Sequence, residues 1–322
     1  MRDWKKLIFH KNLKKQLKIP KVSICIPAYN QVVYLQKNID SVLSQTYTDY
    51  EIIVTDDSPS DIVKDLIEQY QRPDIIKYYK NDTALGSPEN WNESIRRSSG
   101  EYIKILHHDD YFNGENSLTK YVALLDNNPG ADFAFSATRA IEPGIREWEH
   151  RISNRELEEL KKDPLLLYRN NIIGAPSTTI YRRKIELFFD NNLKWLVDIE
   201  FYLRVMEQNS NIIYSTETLV VTCLAEGRVT DFCIDNKEVE VYEYLYVLNS
   251  IYAKKNKYPG KLVNNVLLKT IAVIDDYGIK NQQDIVSAGY TDKLPGKMKT
   301  YLALKSIGAL PAKIYRKLLR EF

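Results

Sequence analysis

Apolar runs and amphipathic segments alternate along the chain after residue 20. Four runs rich in Val, Ile and Tyr predict strands, because β-branched and aromatic side chains suit a pleated sheet; they cover 21–27, 50–56, 75–80 and 101–106. Between them, apolar residues recur at helical spacing, as at Leu35, Ile39 and Val42. This alternation predicts an α/β fold, with a Rossmann-like, mostly parallel sheet and helices on both faces.

The pattern becomes less regular beyond residue 130. Further strands are predicted at 131–137 and 212–222, a polar helix at 153–169, a loop feeding a strand at 172–184, a helix at 197–206 and a helical stretch at 235–277. We therefore expect three parts: a basic N-terminal extension (1–20), an α/β domain (21–225) and a helical C-terminal region (226–322). The last part ends in a basic amphipathic helix, in which Pro311 opens a second helical segment.

Polar clusters follow three of the predicted strands. They are Pro27-Ala28-Tyr29-Asn30, Asp56-Asp57-Ser58 and His107-His108-Asp109-Asp110. In open α/β sheets, ligands bind beyond the carboxyl ends of the strands, so these clusters should meet at one edge. Asp56 and Ser58 equally suit the start of a helix, where Asp and Ser act as caps. Three clusters at one edge nevertheless predict a ligand site.

Composition and charge narrow the class of protein. Hydrophobic residues make up 44% and charged residues 27%, as in soluble globular proteins. Three cysteines without CxxC spacing predict neither a zinc site nor a disulfide framework. No stretch approaches the roughly 18 apolar residues of a membrane span, so we expect a cytoplasmic protein.

The two ends of the chain are basic and the middle is acidic. Residues 1–21 and 293–322 each hold eight Lys or Arg against one acid, which leaves 29 basic and 41 acidic residues between them. An acidic body argues against nucleic-acid binding. In the C-terminal stretch, apolar residues recur every three or four positions among lysines and arginines, the pattern of a helix at a membrane interface; the stripe comprises Ile307, Leu310, Ile314, Leu318 and Phe322. The same stripe also suits packing on the protein itself or on a second subunit, as in a homodimer.

Four segments, in this order and separation, carry a resemblance to a known family. They read VSICIPAYNQVVYLQKNIDSVLSQTYTDYEIIVTDDSPSD, GSPENWNESIRRSSGEYIKILHHDD, GAPSTTIYRR and VDIEFYLRV. Together they resemble the family 2 inverting glycosyltransferases of the GT-A fold, from residue 21 to about residue 220. The resemblance implies hexosyl transfer from a nucleoside-diphosphate sugar to a glycan or lipid-linked glycan of the bacterial surface. UDP is the commonest donor nucleotide in the family and dTDP the next.

The resemblance also implies roles for single residues. The nucleotide would contact Pro27, Ala28, Tyr29, Asn30, Asp57 and Asp109. Asp109 and Asp110 stand where the family holds a divalent metal, Mn²⁺ or Mg²⁺. His107 replaces the usual first Asp of that motif; it is either a further ligand or a satisfied residue at a strand end. Segments near the donor sugar and the acceptor would include Gly86, Asn90, Asn92, Pro176, Ser177 and Thr178.

Inversion requires a carboxylate that takes the proton of the acceptor hydroxyl, and the resemblance implies Asp198 for this role. Glu200 lies about 200° further round the same helix and should point elsewhere. An acid in the first turn of a helix is also favoured by the helix dipole alone.

Two other functions fit parts of the sequence. A degenerate GT-A module could serve as a nucleotide-binding or scaffold subunit, and only His107 favours it. A nucleotidyltransferase also holds a nucleotide and a metal at strand ends, but its typical glycine-rich, basic first loop is missing here. We therefore predict a metal-dependent, inverting glycosyltransferase that is held by its basic ends at the anionic inner face of the cell membrane.

Overall fold

A computed structural model of the chain describes residues 19–224 and 229–321. Nearly all of the predicted basic N-terminal extension (1–20) lies outside these ranges, as does Phe322.

Nine strands form one sheet in the described residues, in the order β3-β2-β1-β4-β8-β6-β9-β5, and β7 pairs with β6. Their bounds are β1 Val22–Ala28, β2 Tyr50–Asp56, β3 Ile76–Lys80, β4 Tyr102–Ile105, β5 Tyr111–Phe112, β6 Phe133–Glu142, β7 Arg146–His150, β8 Thr179–Arg182 and β9 Ile212–Cys223. The first four strands run parallel, whereas β8 is antiparallel to both β4 and β6. The predicted α/β fold is therefore confirmed, with a parallel half and a mixed half.

Helices cover both faces of the sheet. They are α1 Val32–Leu43, α2 Ile62–Gln69, α3 Glu89–Arg97, α4 Ser117–Asp126, α5 Asn154–Lys162, α6 Val197–Gln208, α7 Val229–Cys233, α8 Lys237–Ala253, α9 Gly260–Asp276, α10 Gln282–Ser287, α11 Gly296–Ile307 and α12 Ala309–Glu321. Side chains alternate along each strand, so the two faces bury different residues. In β1, Ile24 and Ile26 pack with α1 and α2, whereas Cys25 belongs to the opposite core, which also contains the C-terminal helices.

Several elements differ from the sequence-based expectation. The predicted helix at 153–169 ends at Lys162, because proline disfavours the helical conformation of the residue before it, here Asp163. A short 3₁₀ helix, Pro164–Tyr168, follows. The stretch 235–277 is divided between α8 and α9. Pro311 lies in the first turn of α12, as predicted.

Strand β1 lies between β2 and β4, so the chain leaves it toward one side and later returns to the other. A crevice forms at such a reversal, beyond the carboxyl ends of the two strands. The turn after β1 and the segment after β4 therefore border the same space, which positions the candidate site.

Candidate active site

A cavity of about 780 Å³ opens at the carboxyl ends of β1 and β4. It joins the three predicted polar clusters, represented by Tyr29, Asp57 and Asp109, to the segment that carries Asp198. The rest of the wall includes residues of 84–91 and 167–176, the end of β9, the start of α7 and Tyr244 of α8. The cavity thus has a wall built by the sheet and a wall built by later parts of the chain.

The turn after β1 supplies Pro27, Ala28 and Tyr29 to the cavity. Asn30 is not in the wall; it adopts a left-handed conformation with φ of 56°, which Asn tolerates better than most residues. Its N–H donates to the Ser58 hydroxyl at 2.8 Å. Asn30, predicted to contact the nucleotide, therefore lies in the turn beside the cavity and supports it by bonding Ser58.

Asp57 anchors the loop that follows β3. Its carboxylate accepts hydrogen bonds from the backbone N–H groups of Leu85 at 3.0 Å and Gly86 at 2.8 Å, and from Asn81 Nδ2 at 2.8 Å. Gly86 has a φ of +72°, which favours glycine at this bend. Asp57 and Gly86 both remain in the cavity wall.

Asn90 and Asn92 lie on opposite sides of α3. Asn90 borders the cavity, and its Oδ1 accepts a hydrogen bond from Asn81 at 3.0 Å. Asn92 points away from the cavity and bonds both backbone groups of Phe189, at 2.8 and 2.9 Å. The structure therefore separates the two asparagines that the resemblance groups together.

The GAPSTT loop contributes Pro176 alone of its three predicted contact residues. The Ser177 hydroxyl accepts the backbone N–H of His107 at 2.9 Å, and the Thr178 hydroxyl donates to the carbonyl of Ile173 at 2.9 Å. Neither residue is in the cavity wall. They support the loop and the β4 segment from inside the fold.

Asp109 and Asp110 lie side by side at the cavity. The Asp110 carboxylate accepts the backbone N–H of Cys223 at 3.1 Å. Burial, together with the neighbouring charge of Asp109, holds the pKa of Asp110 well above its usual range. A cation at this point would relieve the repulsion between the two carboxylates.

His107 lies partly buried beside this pair, with Nδ1 4.0 Å from Asp110 Oδ2. Burial lowers the pKa of His107 to about 4, so its ring is neutral near pH 7. Within the described parts of the chain, its Nε2 has no hydrogen-bond partner. The ring contacts Trp91, with a centroid distance of 4.5 Å.

These donors fit a divalent metal that takes other ligands from its substrate. Across 19–224 and 229–321, no group of three His, Cys, Asp or Glu side chains is arranged to hold an ion. Two adjacent carboxylates offer the oxygen ligands that Mg²⁺ and Mn²⁺ prefer, and phosphate and water can complete the coordination.

Lys104 lies fully buried on β4, and sequence reasoning missed it. Its Nζ donates to the carbonyl oxygens of Ile105, at 3.2 Å, and Ser177. Burial lowers the pKa of Lys104 to about 7, although the charge of Asp110 opposes the shift. Lys104 lies in a run that is typical of an ordinary strand, and nothing in that run indicates that its side chain is buried.

Asp198 lies in the first turn of α6 and faces the cavity. Asn171 Nδ2 donates to its Oδ2 at 2.7 Å, and the backbone N–H of Ile199 donates to its Oδ1 at 2.8 Å. Burial raises the pKa of Asp198 to about 7. Glu200 instead pairs with Arg204 at 2.7 Å and lies outside the cavity wall, so the prediction that it points elsewhere is confirmed. Sequence reasoning missed Asn171, which stands in an irregular loop.

Solved structures share this architecture. The structure of Staphylococcus aureus TarS residues 1–349 with UDP-GlcNAc matches with a TM-score of 0.65 at 17% identity, covering 94% of this chain and 90% of that one. A mannosyltransferase from Pyrobaculum calidifontis, solved with GDP-Man and Mn²⁺, matches with a TM-score of 0.54 at 13% identity, covering 97% and 94%. The fold is that of the GT-A glycosyltransferases.

Sequence comparison narrows this class to one family. The family described as "Glycosyl transferase family 2" matches residues 23–188, just over half of the chain. The chain therefore belongs to glycosyl transferase family 2, and the predicted family and its glycosyltransferase activity are confirmed.

The curated relatives differ in how much of them is matched. An uncharacterized glycosyltransferase of Rickettsia typhi is 28% identical over 242 residues, 73% of each protein. The GalNAc(5)-diNAcBac-PP-undecaprenol beta-1,3-glucosyltransferase of Campylobacter jejuni is 38% identical over 94 residues, 29% of this chain and 30% of that protein. An uncharacterized protein of Mycobacterium tuberculosis is 28% identical over 202 residues, and this chain spans 62% of its length.

Proposed function

We propose that this protein is an inverting, metal-dependent hexosyltransferase. It moves a sugar from a nucleoside diphosphate to a hydroxyl group of a glycan or lipid-linked glycan. The observation that carries the proposal is the Asp198 carboxylate, which borders the same cavity as Asp109 and Asp110. A base and a diphosphate site in one cavity are the two parts that inverting transfer requires.

Asp198 serves as the general base. A group whose pKa is about 7 combines a large ionised fraction at neutral pH with good proton affinity. Asp198 takes the proton of the acceptor hydroxyl as the acceptor oxygen bonds to the anomeric carbon. The bond from that carbon to the diphosphate oxygen breaks on the opposite face, and its electron pair leaves with the diphosphate.

Pro27, Ala28, Tyr29 and Asp57 bind the nucleotide, at the edge where parallel α/β sheets hold such ligands. A UDP-sugar is the favoured donor, with dTDP next. TarS bound to UDP-GlcNAc and to UDP supports this choice. The mannosyltransferase structure contains GDP-Man, so the same fold also binds donors that carry a guanosine nucleotide.

Asp109 and Asp110 hold the divalent ion, with His107 as a candidate third ligand through its unpaired nitrogen. Mn²⁺ or Mg²⁺ would neutralise the charge that grows on the leaving diphosphate. Support comes from relatives in fold whose structures contain Mn²⁺ with a nucleotide or nucleotide sugar.

The acceptor and the cellular location form a second part of the proposal. The Campylobacter jejuni relative is named for an undecaprenol-linked acceptor, and such an acceptor would require work at a membrane surface. We place the protein in bacterial surface polysaccharide synthesis, at the cytoplasmic face of the membrane. Within the described ranges, no helix is long and apolar enough to cross a bilayer.

The C-terminal helices present an apolar strip to solvent, here called the outer strip. Its members are Ile307 (76% exposed), Leu310 (69%), Ile314 (53%) and Leu318 (45%). Exposed Lys313, Lys317 and Arg320 lie on α12, the helix that carries all of the outer strip except Ile307. Each such charge adds about 1 kcal/mol of binding free energy near an anionic surface. We assign the outer strip to an anionic membrane, with a homodimer as the alternative.

Two basic residues of the C-terminal stretch form ion pairs within the protein instead of facing solvent alone. Lys305 and Arg316 both pair with Asp275 of α9. Ala312 and Leu319, on the other side of α12, are buried in the core. The helix therefore packs on the protein by one side, and among the described residues nothing covers the outer strip on its other side.

A nucleotide panel tests the proposal most directly. UDP, dTDP, GDP and CMP are compared by thermal shift with and without Mn²⁺, because a ligand that binds the native state raises its stability. We expect one nucleotide, UDP first, to stabilise the protein only when Mn²⁺ is present. A folded sample that responds to none of them would favour the scaffold alternative.

A further inference from the structure

Glu243 lies behind the wall of the cavity, in the C-terminal helical region. It belongs to α8 and is only 2% exposed. Its carboxylate accepts three consecutive backbone N–H groups, from Lys194 at 2.7 Å, Trp195 at 2.9 Å and Leu196 at 2.7 Å. One side chain thus binds the segment 194–196 that leads into α6, and these three hydrogen bonds are here called the clamp.

This contact gives partners to backbone N–H groups just before the first turn of α6. The N-cap residue Leu196 has no side chain that can cap the helix, and the N–H groups of Lys194, Trp195 and Leu196 have no partner within the helix. A carboxylate at this end is also favoured by the helix dipole. Burial raises the pKa of Glu243, and the three N–H bonds oppose that rise.

The clamped segment leads directly to the proposed base. Trp195, Leu196 and Asp198 all border the cavity. On the other side of the clamp, Tyr244 also borders it, and its carbonyl accepts the Tyr168 hydroxyl at 2.5 Å. Glu243 itself does not border the cavity, so it acts on Asp198 through the backbone at 194–196 and, at longer range, through its charge.

We propose that Glu243 is a positioning residue of the transfer reaction, which fixes the start of α6 and thereby holds the Asp198 carboxylate against the acceptor. This inference rests on the proposed function of Asp198. It makes the C-terminal helical region a part of the catalytic apparatus.

Glu207 provides a matched control. It lies on α6 and, like Glu243, links α6 to the C-terminal helical region, through Lys254 Nζ at 3.0 Å and the Tyr258 hydroxyl at 2.5 Å. It is eleven residues beyond Leu196, about 16 Å along the helix at 1.5 Å per residue. A change at Glu207 therefore disturbs the same pair of elements far from the base.

The test compares Glu243→Gln with Glu207→Gln in the full chain. Glutamine offers one acceptor oxygen and an NH₂ group that faces N–H donors, so the clamp is lost. We expect kcat to fall roughly tenfold to hundredfold in Glu243→Gln, the scale of a small misplacement of a catalytic group. Affinity for the donor nucleotide should stay within about twofold, because Asp198 acts on the acceptor. Glu207→Gln should retain its kcat.

The pH profile separates positioning from simple loss of folded protein. The ionisable groups that interact with Asp198 include Glu243 and Tyr202, and Lys194 in turn interacts with Glu243. The charge of Glu243 contributes to the raised pKa of Asp198, so its removal should move the acidic limb of kcat to lower pH. A variant that merely unfolds in part would lose the same fraction of activity at every pH.

Three results would overturn the inference or its basis. Equal kcat in the two Gln variants would show that Glu243 does not position the base. If Glu243→Gln fails to fold, Glu243→Asp, which keeps the charge but retracts it by one methylene, takes its place, and a wild-type kcat there would contradict the inference. If the wild-type protein transfers no sugar, the proposed function fails; slow amide exchange at 194–196 that is lost in Glu243→Gln would then still support the clamp alone.

Discussion

The two walls of the cavity are built in different ways. The wall at the sheet edge, here called the nucleotide wall because we propose that the nucleotide binds there, consists of short segments directly after β1, β2 and β4, and these bond other loops at the same edge, as Asp57 bonds Gly86. The wall around Asp198 combines an irregular loop, the first turn of α6 and a carboxylate from α8. In the proposed mechanism, donor binding thus depends on the ends of the strands, whereas the position of the base depends on a loop and on helices outside the sheet. The two functions should therefore be separable by mutation.

The largest separation is expected from Asp198→Asn. The amide keeps the size of the side chain but cannot take a proton, so kcat should fall by about 10² to 10⁴. Nucleotide affinity, measured by calorimetry, should remain near the wild-type value. Glu200→Gln, on the same turn but paired with Arg204, is the control and should keep its turnover.

The pH dependence of the wild-type rate checks the same assignment. The base must be ionised, so activity should fall as the pH drops through the pKa of about 7, well above the range of an ordinary aspartate. Normal turnover in Asp198→Asn, or a limb near pH 4, would remove Asp198 from the mechanism.

Asp110→Ala should give the opposite result on the nucleotide wall. It removes one of two carboxylates at the proposed metal position, so the Mn²⁺-dependent part of nucleotide binding should disappear. At a ligand concentration of 100 times Kd that part is worth about 2.7 kcal/mol of stability, measurable as a thermal shift. Asp61→Ala, at an exposed position before α2, should change nothing. An unaltered response to Mn²⁺ in Asp110→Ala would contradict the metal assignment.

The smallest effect on catalysis is expected at the outer strip. Ile307→Ser, Leu310→Ser and Ile314→Ser together leave the core intact, because these side chains are already exposed. Binding to vesicles rich in anionic lipid should weaken, since burying each such side chain is worth about 1.5 to 3 kcal/mol. Transfer to a short, soluble acceptor should persist.

Ile145→Ser is the control for this surface, since Ile145 is 73% exposed in the turn between β6 and β7. Unchanged vesicle binding in the triple variant would refute the membrane assignment. A wild-type dimer in sedimentation that the same variant dissociates would favour the homodimer instead.

The sequence predicted that the polar clusters meet at one edge of the sheet, because strands can be recognised from their local pattern of apolar residues. Asp57 and Asp109 could be placed at one edge from the spacing of apolar runs alone. Strand β7 was missed because REWEH is exposed and carries no alternation of apolar residues. Asn90 and Asn92 could not be told apart, since the side of α3 that faces the cavity depends on tertiary packing.

The wall around Asp198 was harder to predict for a related reason. Asn171 and Glu243 act through contacts 27 and 47 residues apart in sequence. No periodicity marks a residue whose partner lies in another element of the fold. Lys104 was hidden in the same way, because its charge is satisfied by carbonyl oxygens inside the fold.

The clamp at Glu243 bears on how this enzyme can be re-engineered. Exchange of acceptor preference between relatives is commonly planned as a cut between a catalytic and an accessory segment, and here the natural cut would fall near residue 225. Such a chimera would replace Glu243 while keeping the three amides that it binds. Tyr168 also bonds α8 through its hydroxyl. A junction upstream of Tyr168 would therefore transfer Asp198 and Glu243 together.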